Sequence, residues 1–136
     1  MMERIKQSVD RLAGTGFDDI AAVNAQLHAQ LGPAQPRDGF DVRVSDSGVL
    51  GGILVSDIEL RSATDDASHA TLLLRFPSPG VPIEEVPWPN AVLYPPRPDA
   101  ADSAAYWSVD VANDTQVILG LSPDQTRLTQ MTIRKN

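Results

Sequence analysis

The sequence predicts an α+β fold, with two N-terminal helices packed on a curled, mainly antiparallel sheet of about six strands. Three observations predict it. Apolar residues recur at helical spacing through residues 1–32 and at a spacing of two afterwards. The strand-like runs are joined by short turns rich in Gly, Asn, Asp and Pro, which makes neighbours antiparallel. Finally, 136 residues at 42% hydrophobic content suit one core. The expected parts of this single domain over 1–136 are a helical part at 1–32, first strands at 40–76, a proline-rich crossing loop at 77–102, and C-terminal strands at 104–134.

In residues 3–13, Ile5, Val9, Leu12 and Ala13 form one helical stripe closed by Gly14. Thr15 and Asp18 give a loose capping pair for a second helix carrying Ile20, Val23, Leu27 and Leu31 on one face, with Gly32 and Pro33 stopping it. His28 falls at the edge of that stripe, a surface position. Phe40, Val42 and Val44 then share one face of a strand, and Asp46, Ser47 and Gly48 read as a turn. Residues 49–55 are apolar in both phases around Gly51 and Gly52, which read as a bulge or bend. Ile58 and Leu60 alternate with polar neighbours, Asp65 and Asp66 mark a turn, and Ala70, Leu72, Leu74 and Phe76 return as the paired strand.

Residues 77–98 hold eight of the eleven prolines. Proline lacks the ladder N–H, so this stretch reads as a stiff crossing loop with an edge strand at 91–94. After a linker at 99–102, Trp107, Val109 and Val111 alternate as core positions, Asn113 and Asp114 turn the chain, Val117, Leu119 and Leu121 pair back, and the last strand carries Met131 and Ile133. A curled sheet of this kind would leave an open end near the second helix where a cavity could form.

Composition narrows the chemistry. Without cysteine there is no disulfide, zinc ribbon, iron–sulfur site or thiol nucleophile, and two histidines leave few imidazole bases or ligands. No metal or cofactor is expected. The net charge of −7 argues against nucleic acid and against anionic membrane surfaces, and suits a basic partner or simple solubility. Two lysines against nine arginines suggest a GC-rich, bacterial genome. No apolar run of signal or membrane length is present, so the cytoplasm is the expected compartment, or the periplasm if a signal peptide preceded Met1. Asn113, Asp114 and Thr115 match a glycosylation acceptor, but a hairpin turn explains them.

Phosphate loops, serine elbows, paired zinc histidines and dinucleotide glycine patterns are all missing, so no catalytic residue is assigned. Asp57 and Glu59, two apart on a strand, share a face and could act as paired carboxylates; alternation with Ile58 and Leu60, and Arg61 beside them, also fits an ordinary solvated sheet surface. Asp65, Asp66 and His69 cluster across a turn, where aspartates are common for conformational reasons. Trp88 between Pro87 and Pro89, and Tyr94 before Pro95, Pro96, Arg97 and Pro98, are rigid aromatics on a stiff loop; they suit protein recognition, or Trp88 and Tyr94 cover the end of the core.

In general appearance only, a small acidic α+β chain without a catalytic motif resembles immunity proteins and secretion chaperones. The expected function is a non-catalytic protein-binding module of immunity, chaperone or adaptor type, more an interaction protein than an enzyme. Trp88, Tyr94 and Arg97 would anchor the partner, and Asp57, Glu59, Asp65 and Asp66 would steer a basic one. Two alternatives stand beside it. One is a small-molecule binder or hydrolase using a cavity between sheet and helix through Asp57, Glu59 or His69; the other is a structural homo-oligomer joined at an edge strand.

Overall fold

The computed structural model describes residues 2–83, 85–99, 103–112 and 114–135. The expected linker at 99–102, apart from Asp99, and Asn113 of the expected turn lie outside the described residues. The chain runs α1 (Met2–Ala13), α2 (Ile20–Leu27), β1 (Gln35–Arg37), β2 (Phe40–Leu50), β3 (Ile53–Ala63), β4 (Ala70–Arg75), β5 (Val81–Pro82), β6 (Val92–Tyr94), β7 (Tyr106–Val111), β8 (Thr115–Leu121) and β9 (Arg127–Lys135). The fold is α+β, two helices on an antiparallel sheet in the order β1-β2-β3-β4-β9-β8-β7-β6, with β5 also pairing β9. Among the described residues the sheet has nine strands. The six long ones match the alternating stretches of the sequence, while β1, β5 and β6 are two or three residues each, too short to show a period.

α1 follows its stripe: Ile5, Val9, Leu12 and Ala13 are buried, joined by Met2 and Ser8. Its end is tied to the last strand, because the Lys135 ammonium donates to the Ala13 carbonyl and lies over the Phe17 ring. α2 is shorter than its periodicity implies. Asp19, not Thr15, is the N-cap and accepts from the Ala22 N–H at 3.1 Å. The Thr15 hydroxyl instead donates to the Arg11 carbonyl behind it. His28 ends the helix in the left-handed conformation, and the next turn is diverted as Asn24 accepts from Leu31 N–H and Ser45 from Gln30 N–H.

β2 and β3 form one long hairpin, in register from Phe40 opposite Ala63 to Leu50 opposite Ile53. The turn is therefore Gly51 and Gly52, and the expected turn at Asp46, Ser47 and Gly48 lies inside β2. Both glycines have positive φ, 59° and 82°, as a two-residue hairpin turn of the right twist requires. A Cβ on Gly51 would sit 3.0 Å from the Ile5 nitrogen, so the turn rests directly on α1. The bulge falls further along β3, at Asp57 (φ 50°), where the register against β4 shifts between Ser56 and Glu59. The extra residue puts Val55 and Ile58, three apart, on the same buried face.

The helices cover that inner face, where Leu60, Leu72, Leu74, Val117, Leu119, Met131 and Ile133 make the core. Among the described residues no helix is long and apolar enough to cross a membrane.

Candidate functional site

Among the described residues the opposite face of the sheet carries no helix. Register pairs trace one outward row across it: Val44, Glu59, Leu73, Thr132, Ile118, Ser108 and Val92, one residue from each of β2, β3, β4, β9, β8, β7 and β6. None of them is buried. At ~4.8 Å between strands the row is about 29 Å long. A second row beside it runs Arg75, Gln130, Gly120, Tyr106 and Tyr94. Phe40 and Val44, on one face of β2 as expected, lie on this outer side and are 48% and 52% exposed. Val42 between them is buried yet outside the core cluster.

At the β2–β4 side the outer face dips into a groove of roughly 540 Å³ whose walls include Asp46, Asp57, Glu59, Arg61 and Arg75. Asp57 and Glu59 thus share an outer-face site. Each carboxylate has an arginine beside it: Glu59 accepts from Arg61 Nε at 2.8 Å, and Asp57 lies 3.8 Å from Arg75 Nε. Paired in this way, with Arg61 beside them as expected, they offer alternating charge. They do not face a cavity under α2. A Cβ on Gly48 would lie 2.7 Å from both Ile58 Cδ1 and the Leu27 carbonyl, so helix and sheet are in contact there. His69 is not in the groove either, and among the described residues no three His, Asp or Glu side chains gather to hold a metal ion.

Asp65, Asp66 and His69 stay on the β3–β4 turn. Asp66 accepts from the Ser68 hydroxyl and N–H, which hold its carboxyl below the usual range, and His69 lies 3.6 Å away with both side chains exposed. Asp66 there closes a turn.

The proline-rich stretch divides its two aromatics. Tyr94, 46% exposed, stacks on Tyr106 with ring centres 5.1 Å apart. Trp88 is only 5% exposed and belongs to the core, the alternative in which it covers the end of the core. Trp107, expected in the core, is half-buried. The two tryptophans line a shallow cleft of roughly 470 Å³ with Ile83, Val86, Pro89 and Ala91; among the described residues the Trp88 Nε1, itself buried, has no hydrogen-bond partner. Arg97 is exposed; its backbone N–H donates to Ser103 Oγ.

Sequence reasoning missed Leu73, Ile118, Tyr106 and Arg75 as members of the open face. Alternation marks their phase as the face opposite the core, but says nothing about whether another layer covers it. No protein family, no curated protein and no solved structure matches the chain.

Proposed function

We propose that this chain is a non-catalytic protein-binding module that receives its partner on the open outer face of the sheet. The observation that carries this reading is the outward row from Val44 to Val92, which crosses seven strands without a buried side chain. Its length of about 29 Å fits the ~800 Å² per partner of a standard interface. Its make-up also fits: Val44, Leu73, Ile118 and Val92 alternate with polar residues, and arginines flank the groove.

The recognised surface would carry both signs of charge opposite the Asp57–Arg75 and Glu59–Arg61 pairs, with a basic excess overall to match the net charge of −7. Tyr94 at the far edge contributes a rigid aromatic already held by Tyr106.

The test is affinity capture from the native lysate with wild type and a Leu73→Arg, Ile118→Arg double variant, each checked for an unchanged melting temperature. A stoichiometric protein retained by wild type and lost from the variant supports the reading. Equal retention by both removes this face from the interaction.

A further inference from the structure

We propose that two copies of the chain form a two-fold dimer in which their β6 strands pair antiparallel about Leu93, and residues 95–98 of each copy lie in the Trp88/Trp107 cleft of the other. This goes beyond the outer-face reading and does not depend on it.

Three unexplained features sit at the same edge of the sheet. Among the described residues β6 ends the strand order with no strand beyond it, and its three residues Val92, Leu93 and Tyr94 are half of the large apolar side chains that stand exposed there. The Trp88/Trp107 cleft is an open, mainly apolar trough lined also by Ile83, Val86, Pro89 and Ala91. Pro95, Pro96, Arg97 and Pro98 form an exposed segment outside any helix or strand, and its fixed φ angles leave little entropy to lose on docking.

Antiparallel symmetry joins them. With Leu93 on the axis, Val92 faces Tyr94 of the second copy, Ala91 faces its Pro95, and Pro89 faces its Arg97. Ala91 and Pro89 are walls of the cleft. The segment that follows β6 in one copy is therefore delivered along the cleft that precedes β6 in the other.

The chemistry matches on each count. Proline rings pack against apolar and aromatic walls such as those of Ile83, Val86 and Trp107. Glu85 stands exposed at the cleft and Arg97 is exposed, and among the described residues neither side chain has an ion pair; the dimer brings them together twice. Three strand residues alone cannot cover the ~800 Å² per partner of a stable interface, and the filled clefts supply the remainder. Because the prolines have no N–H, pairing stops after β6 and the contact closes as a dimer instead of extending into a fibre.

Sedimentation equilibrium on the full chain, from low to high micromolar concentration, tests this. Wild type is expected to dimerise reversibly. Leu93→Arg should weaken the dimer about tenfold or more, and Arg97→Glu should weaken it by about tenfold, restored when Glu85→Arg is added. All three residues are exposed, so the variants keep the melting temperature of the monomer. A monomer at every concentration overturns the proposal and leaves the outer-face reading standing. A dimer indifferent to Leu93→Arg, or a charge swap that restores nothing, overturns it equally.

Discussion

Single side chains in this protein separate by what surrounds them, and Trp88 and Tyr94 show it best. Both sit beside prolines, yet one is in the core and the other is stacked on Tyr106 at the surface. Trp88→Ala should cost ~3–5 kcal/mol in urea unfolding, and Tyr94→Ala ~1 kcal/mol or less; similar losses at both sites would contradict the placement. Asp124 offers a second test at this scale. The Ser122 hydroxyl, then the Thr126 hydroxyl and N–H, pull its carboxyl from the ordinary 3.8 down to about 2. A carboxyl depressed on folding binds its proton more weakly in the native state, so its contribution is present above pH 3.8 and disappears as the pH falls through 2. Asp124→Asn should therefore flatten the fall in melting temperature across that window while changing little at pH 2.

At the level of the element, backbone conformation decides more than composition. The β2–β3 turn needs two residues at positive φ, and Gly51 also lies against the backbone of Arg4 and Ile5. Gly51→Ala is expected to lower stability by ~1–3 kcal/mol by chemical denaturation, through left-handed strain and a clash with α1. Asp57 presents the opposite case, a non-glycine residue at φ 50° in the bulge. Asp57→Gly should hold or raise stability by up to ~1 kcal/mol while weakening partner capture, since the carboxylate facing Arg75 is lost. A variant that loses stability instead would show that the Asp57 side chain holds the bulge. For α2, Asp19→Ala should cost ~1 kcal/mol by removing its cap.

For the whole molecule, one core cluster takes in both helices and every long strand, so unfolding is expected to be a single transition. Far-ultraviolet circular dichroism and tryptophan fluorescence should give coincident midpoints; separated midpoints would mean that the helical part and the sheet unfold independently. The sequence by itself determined the α+β class, the inner-face residues such as Ile5, Leu72 and Ile133, the six long strands, and the edge strand next to Pro95. These follow from periodicity and from the missing proline N–H, which act within a few residues. It did not determine where α2 begins and ends, which glycines turn the β2–β3 hairpin, or that the row from Val44 to Val92 lies on an open face. Asp19 competes with Thr15 as the cap, Gly51 is selected by contact with α1, and a strand's outward phase reads the same whether or not another layer covers it. Those outcomes depend on partners distant in the chain, and only the tertiary structure decided them.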